Sequence, residues 1–255
     1  MSHQKSPYKL FTNQKLGALL YEPSPRWIRG FVDGKCVVDC KSPYLVWEGT
    51  GLVPLLSIPA KDVKGLQETK FNDTRGDLVS KWYNIQSQST TKRLAAWSYR
   101  LDLANAPPSD NVTFRFSALD KWLEEEEEIF VHPRSPYIRL DVRQSSRHLL
   151  VKIDKIVVAE TRHPLLLFEN SLLTRYYINP TDVKCLGLFR YSEGHHSACP
   201  YKGVASYFSA TINDKVYEDI VWTYPYPLQD VQKIQNRWCF YNEKVEMILD
   251  GEKLE

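Results

Sequence analysis

One short segment of the sequence combines residue types that can do chemistry: Cys199-Pro200-Tyr201-Lys202-Gly203. Pro200 fixes its own backbone angle and Gly203 permits a sharp turn, so we expect a tight loop that projects Tyr201 and Lys202. A lysine held among aromatic side chains is partly desolvated, and desolvation favours the neutral amine. Such a lysine serves as a base, as a Schiff-base amine or as a donor that polarises a carbonyl group.

The same segment also has a purely structural interpretation. Lys202 can pair with a carboxylate such as Glu169, and Cys199 can be a small buried side chain. Both interpretations stay open from the residues alone. In the catalytic interpretation, the residues that transfer protons are Lys202, Tyr201 and Glu169.

The segment Arg175-Tyr176-Tyr177 is the second candidate. On a strand, Arg175 and Tyr177 face one side and Tyr176 the other. The arginine fork binds a carboxylate or phosphate through two hydrogen bonds, and we expect Arg147 and Arg134 to add to the same positive pocket. The alternative is a surface arginine stacked on a tyrosine.

Aromatic residues are predicted to line this site. The full substrate-binding set is Arg134, Arg147, Arg175, Tyr177, Cys199, Tyr207, Trp222 and Tyr224. The neighbouring pair His195-His196 lies in a polar stretch that we interpret as an ordinary loop, because adjacent residues rarely reach one point.

An internal repeat positions these residues. Asp33 to Glu48 matches Asp154 to Glu169, and Trp97-Ser98-Tyr99 matches Trp222-Thr223-Tyr224. Arg115-Phe116 aligns with Phe240-Tyr241 at the same offset. The counterpart of the Cys199 segment is Thr74-Arg75-Gly76-Asp77-Leu78, which lacks its chemistry. The sequence therefore predicts a degenerate, supporting first repeat over residues 1–128 and a second repeat, with the site, over residues 129–255.

The secondary-structure pattern is mainly β. Runs rich in Val, Ile, Tyr, Phe and Trp are punctuated by Asp-Gly, Asn-Asp or Pro, and 15 prolines leave little room for long helices. We expect two tandem β-rich domains of antiparallel sheets with few short helices. The predicted strand runs are Trp27 to Cys40, Leu149 to Glu160, Ala205 to Ile212 and Val245 to Leu249. The predicted helical turns are Asp62 to Leu66, Ser117 to Glu127 and Pro227 to Gln235.

Composition limits the partners. The 255 residues include 33 basic and 31 acidic side chains, a formal net charge of +2, so no overall field favours nucleic acid or an anionic membrane. No apolar run approaches the roughly 18 residues that span a bilayer, and no apolar leader follows Met1. We expect a cytoplasmic protein that binds neither nucleic acid nor membrane. Its oligomeric state is left open.

The cysteine pattern argues against a metal site. The five cysteines lie at 36, 40, 185, 199 and 239, without the C-x-x-C spacing of a zinc ribbon. We therefore predict free thiols, no metal and no cofactor.

Several motifs of the second half carry a resemblance to a known family. They are His132 to Tyr137, Ser145 to His148, Leu166 to Glu169, Thr174 to Ile178, Cys199 to Gly203 and Phe240 to Val245. In this order they resemble the domain-of-unknown-function family 427 in its tandem form. The resemblance implies small, β-rich, tent-like domains of the kind found in methionine sulfoxide reductases and in the drug-binding domain of cereblon. Relatives on that fold often hold zinc through paired C-x-x-C motifs, and this chain has none.

The family is also catalogued as nucleotidyltransferase-like. That chemistry needs a Gly-Ser turn and paired carboxylates for two Mg²⁺ ions, and this sequence has neither. It also lacks a phosphate-binding loop and a G-x-S-x-G elbow. The predicted function is a cofactor-independent enzyme, such as a lyase, isomerase or hydrolase, acting on a small oxygenated or anionic metabolite. The alternatives are a non-catalytic small-molecule binding module and an interaction scaffold.

Overall fold

The computed structural model describes residues 19–49, 53–71, 77–170 and 172–254. The chain divides into two compact units, Met1–Pro136 and Tyr137–Glu255. This division falls later than the boundary that we read from the sequence, because a final strand, Glu127–Ile129, still belongs to the first unit. Within the described ranges, no helix is long and apolar enough to cross a membrane.

The described residues of the first unit form eleven strands in two antiparallel sheets. The strands are β1 (Leu19–Pro23), β2 (Ile28–Val32), β3 (Lys35–Cys40), β4 (Tyr44–Glu48), β5 (Leu55–Pro59), β6 (Leu66–Thr69), β7 (Val79–Gln86), β8 (Thr91–Tyr99), β9 (Asn111–Phe114), β10 (Lys121–Glu124) and β11 (Glu127–Ile129). A seven-stranded sheet has the order β1-β4-β5-β9-β8-β7-β6, and a four-stranded sheet has the order β11-β10-β2-β3.

The second unit repeats this topology strand for strand. Its strands are β12 (Leu140–Gln144), β13 (Leu149–Ile153), β14 (Ile156–Thr161), β15 (Leu165–Glu169), β16 (Arg175–Ile178), β17 (Phe189–Cys199), β18 (Gly203–Ile212), β19 (Lys215–Thr223), β20 (Trp238–Phe240), β21 (Glu246–Leu249) and β22 (Glu252–Lys253). The sheet orders are β12-β15-β16-β20-β19-β18-β17 and β14-β13-β21-β22. The predicted mainly-β class and the tandem repeat are therefore confirmed.

Two-residue turns explain why four pairs of consecutive strands form hairpins: β2–β3, β13–β14, β18–β19 and β21–β22. Each turn carries two consecutive residues with positive φ, which is the geometry of the type I′ turn that suits the twist of a hairpin. Asp, Asn and Gly tolerate this geometry best, and they supply all but one of the positions. The turns are Asp33-Gly34, Asp154-Lys155, Asn213-Asp214 and Asp250-Gly251.

In the part of the chain that the structure describes, the helical segments are short 3₁₀ turns. They are Ala60–Asp62, Phe116–Ala118, Pro180–Asp182, Leu186–Leu188 and Gln229–Ile234. The helical turn predicted over Ser117 to Glu127 is wrong beyond Ala118, because those residues form the β10–β11 hairpin. The glutamates of this hairpin pair with arginines near the start of β2: Arg26 pairs with Glu124, and Arg29 Nη2 lies 3.0 Å from Glu126 Oε1.

The seven-stranded sheet of the second unit has two different faces. One face packs with the four-stranded sheet around a buried core that includes Tyr176, Ile178 and Phe240. The opposite face carries a separate cluster that includes Tyr177, Trp222 and the 3₁₀ turn Gln229–Ile234. The alternation predicted for Arg175, Tyr176 and Tyr177 is thus present, and it directs Tyr177 away from the main core.

The strand registers correct one part of the sequence alignment between repeats. Trp97 pairs with Thr113 on β9, whereas Trp222 pairs with Cys239 on β20. The connection before β20 is therefore one residue longer than its counterpart. Phe240 corresponds to Phe114, so the predicted match of Arg115-Phe116 with Phe240-Tyr241 is out of register by one residue.

Candidate functional site

The second face of the large sheet in the second unit holds a pocket of about 210 Å³. Both polar groups and aromatic rings line it. The lining residues are Glu169, Leu172, Leu173, Arg175, Tyr177, Lys202, Tyr207, Trp222, Tyr224 and Tyr241. Most of the side chains singled out from the sequence therefore meet in one cavity, in the unit that carries the Cys199–Gly203 segment.

Lys202 and Glu169 form an ion pair in the wall of this pocket. The Lys202 ammonium contacts Glu169 Oε2, and the two side chains are only 13% and 9% exposed. Glu169 ends β15, while Lys202 sits in a turn closed by its own N–H on the Cys199 carbonyl at 3.3 Å. The pairing that the structural interpretation proposed is present, and it lies at the cavity that the catalytic interpretation requires.

The backbone of this turn requires a glycine at position 203. Its φ is +101°, a conformation that L side chains rarely adopt, and an added Cβ would lie 3.0 Å from the Tyr226 carbonyl oxygen. The close approach allows the Leu228 N–H to donate to the Lys202 carbonyl at 3.0 Å. The backbone of Lys202 is thereby fixed from both sides.

Arg175 forms the second charged part of the wall. Its Nη1 and Nη2 donate to the two carboxylate oxygens of Glu243 at 2.8 and 2.6 Å. These bonds raise the pKa of Arg175 and lower that of Glu243. The guanidinium carbon also lies 5.4 Å from the centre of the Trp222 ring, which is a cation–π distance.

Aromatic rings build the remaining walls. Trp222 meets Tyr177 edge to face, and its Nε1 donates to the Tyr177 hydroxyl at 3.2 Å. Trp222 also packs against Tyr241 with ring centres 4.5 Å apart. Burial raises the pKa of Tyr241 to about 12, and it also raises the pKa values of Tyr177 and Tyr224. All three phenols are therefore neutral donors at physiological pH.

His195 approaches the pocket from behind Tyr207, which the sequence did not predict. The two rings stack with centres 4.4 Å apart, and His195 Nδ1 lies 2.7 Å from Asp219 Oδ2. The expected loop is in fact part of β17, where a register irregularity between Tyr191 and His196 brings the imidazole over the next strand. Tyr207 is held further by a 2.5 Å hydrogen bond between its hydroxyl and Ser197 Oγ.

Four residues of the predicted site do not line this pocket. Tyr201 is buried, and Cys199 lies behind the lysine with its Sγ 4.0 Å from Lys202 Nζ. Arg147 is directed to the four-stranded sheet, where its Nε pairs with Asp250 at 2.6 Å. Arg134 belongs to the first compact unit. Neither Arg147 nor Arg134 is among the residues that line this cavity, because the position of an arginine in the sequence does not specify which surface its side chain faces.

The first unit has different side chains at the matching positions. By strand register, Leu55 stands for Arg175, Ser57 for Tyr177 and Trp82 for Tyr207. Leu55 and Trp82 join Trp97 in a hydrophobic cluster, and the retained Glu48 accepts from the Tyr99 hydroxyl at 2.7 Å. Thr74, Arg75 and Gly76, the aligned counterparts of the Cys199 segment, lie outside the described residues.

Four residues at or beside the cavity were not predicted from the sequence: Leu172, Leu173, Tyr241 and Glu243. Tyr241 and Glu243 lie in Phe240 to Val245, a segment that entered only the repeat comparison and the family resemblance. All five cysteines are free thiols. In the described ranges, no cluster of three or more His, Cys, Asp or Glu side chains is arranged to hold a metal ion.

Comparison with family models gives a match in each half of the chain. A family model described as a domain of unknown function, DUF427, matches residues 20–125 and again residues 141–251. The two matches fall one on each repeat and end just before its last strand, β11 or β22. A search of curated proteins finds no match to this chain.

Proposed function

This chain belongs to the DUF427 family in two tandem copies, and we propose that its second copy binds a small oxygenated metabolite and acts on it by acid–base chemistry. The observation that carries the proposal is the Lys202–Glu169 pair, which lies in the wall of a 210 Å³ cavity and is almost shielded from bulk water. Hydrogen-bond donors and acceptors gain strength in such a site because the surroundings have a low dielectric constant.

The two members of the pair have complementary roles in proton transfer next to a carbonyl group. Lys202 donates a hydrogen bond to the carbonyl oxygen, and Glu169 takes a proton from the adjacent carbon. The C–H electrons form the C=C bond of an enolate, whose oxygen is stabilised by the ammonium group. Glu169 then returns the proton to the same carbon or to a neighbouring one, which gives exchange or isomerisation.

The aromatic walls supply binding and orientation. Tyr177, Trp222 and Tyr241 bury apolar surface of a ligand, while their polar edges remain available for a few hydrogen bonds. Arg175 stands beside Trp222 and orients an oxygen-bearing group. Neither proton transfer nor orientation by these groups calls for a cofactor.

The proposal is tested by proton exchange in D₂O. Wild-type protein is incubated with pyruvate, 2-oxobutyrate and cyclohexanone, and loss of the α-proton NMR signal is followed. We expect protein-dependent exchange with at least one compound, and loss of that exchange in Glu169→Gln while the compound still binds. Lys202→Met should also abolish the proton exchange. The matched control is Glu252→Gln, a change on the exposed strand β22, which should leave the exchange unchanged.

A non-catalytic binding module is the second candidate. It is favoured by the fact that Lys202 and Glu169 satisfy each other, so neither group needs a substrate to be paired. Binding of these compounds without any protein-dependent exchange would support the module and reject the enzyme. Absence of both would reject a role of this pocket with carbonyl compounds.

A further inference from the structure

The Arg175–Glu243 pair is built like a ligand contact. The two nitrogens of the guanidinium fork each meet one carboxylate oxygen, at 2.8 and 2.6 Å, in the arrangement that an arginine uses to bind a free carboxylate. Glu243 does not line the pocket, whereas Arg175 does. The carboxylate on Arg175 therefore belongs to a residue outside the lining of the cavity.

The two partners differ in how firmly they are held. The Glu243 side chain is 47% exposed and lies beyond β20, so its release into water costs little. Arg175 is 24% exposed and keeps two further contacts, the face of Trp222 and Asn242 Oδ1 at 3.5 Å. Asn242 is itself anchored through its Nδ2 on the Thr174 carbonyl at 3.0 Å. If the pair opens, Glu243 moves and the arginine stays.

The charges of the pocket leave room for one anion. Its charged lining residues are two cations, Arg175 and Lys202, and one carboxylate, Glu169. Lys202 and Glu169 neutralise each other across their ion pair. Arg175 is thus the lining cation whose partner, Glu243, is not itself a lining residue. A bound monoanion would neutralise the positive charge of Arg175.

We propose that the ligand of this pocket is a small, flat monocarboxylate whose carboxylate replaces Glu243 on Arg175. Glu243 then acts as a built-in competitor that holds the arginine in its binding geometry and lowers the affinity for the ligand. This inference rests on the proposed function, since it names the ligand class of the same pocket.

The size of the cavity limits the ligand. At about 30 Å³ per water molecule, 210 Å³ corresponds to about seven waters, so the ligand has on the order of ten non-hydrogen atoms. An aromatic ring packs on the wall that Trp222 and Tyr241 form together, and a carboxylate at one end of the ring reaches Arg175 beside Trp222. Benzoate meets these requirements, and benzamide is its uncharged match in shape.

The experiment compares the affinities of benzoate and benzamide by calorimetric titration of the full chain. We expect wild-type protein to prefer benzoate. Glu243→Gln should tighten benzoate by about three- to tenfold, as expected for removal of a half-exposed competitor, and leave benzamide unchanged. Arg175→Met should abolish the preference. Glu246→Gln removes another partly exposed, paired glutamate of the same unit and should change neither affinity.

The outcomes separate this inference from the proposed catalysis. Unchanged or weakened benzoate binding in Glu243→Gln overturns the inference, and so does the absence of benzoate binding at millimolar concentration. A tightening that Lys202→Met preserves supports it. If the tightening is found but no carbonyl compound exchanges protons, the ligand class stands and the acid–base function fails.

Discussion

The burial of the Lys202–Glu169 pair predicts how much the pair contributes to the stability of the second unit. Removing one partner of a fully buried pair costs about 3–5 kcal/mol, whereas an exposed pair contributes about 0–1 kcal/mol. With side chains 13% and 9% exposed beside a cavity, this pair lies between these limits. We expect Lys202→Met and Glu169→Gln each to destabilise the second unit by about 2 kcal/mol. For a domain of this size, that is a fall in melting temperature of roughly 8 °C.

The double variant distinguishes a direct interaction from two separate effects. Once both charges are gone, neither is left without a partner, so the double variant should lose about 1 kcal/mol rather than the sum of about 4. The measurement is differential scanning calorimetry of all four proteins. The control is Lys81→Met in the first unit, where the partner Glu68 is more than half exposed and no measurable change is expected.

Two results would refute this reasoning. Additive losses in the double variant would mean that the two groups do not stabilise each other. An unchanged melting temperature in Lys202→Met would mean that the ammonium group is solvated in the unfolded and folded states alike. In that case the low-dielectric argument for the reactivity of the pair would also fail.

Three further predictions concern the walls and turns of the site. Burial raises the pKa of Tyr241 to about 12, so this tyrosine ionises at lower pH in the unfolded chain than in the folded one. The free energy of unfolding should therefore fall as the pH rises from about 10 through about 12. Thermal melts at about pH 9 and about pH 11.5 should show a smaller fall in melting temperature for Tyr241→Phe than for the wild type. Gly203→Ala should lower the free energy of unfolding by about 2 kcal/mol, measured by denaturant unfolding, because residue 203 has a positive φ. Gly187→Ala should leave it unchanged, because an added Cβ there meets nothing within 4 Å. Trp222→Ala should lose about 3–5 kcal/mol in the same assay through the cavity it leaves, and a loss below about 1 kcal/mol would contradict its place in the cluster.

The sequence was informative where the local pattern decides the structure. Alternating apolar residues and the Asp33-Gly34 and Asn213-Asp214 turns were sufficient to place the β2–β3 and β18–β19 hairpins, because a type I′ turn fixes both partners of a hairpin. Comparison of the repeats pointed to Lys202 because only one copy has it. Arg175 and Tyr177 followed from the two-residue period of a strand.

The rest depends on registers that no local pattern encodes. Tyr241 was assigned to the wrong partner because the connection before β20 contains one additional residue. His195 was interpreted as part of a loop because its position over Tyr207 arises from an irregularity in strand pairing. Arg147 was predicted to join the pocket because the sequence gave no information about the sheet towards which its side chain is directed.

The irregularity in β17 also affects how the protein meets other chains. This strand ends the seven-stranded sheet, and the edge of a sheet is a template for unwanted pairing with a second molecule. Residues 192–195 stand opposite Tyr207 alone, and Gly194 there has a φ of +73°, so the run of backbone groups along the strand is broken. The same distortion that stacks His195 behind Tyr207 thus protects the edge from aggregation. Shortening β17 to a regular strand would remove the imidazole from the Tyr207 ring and expose a continuous edge.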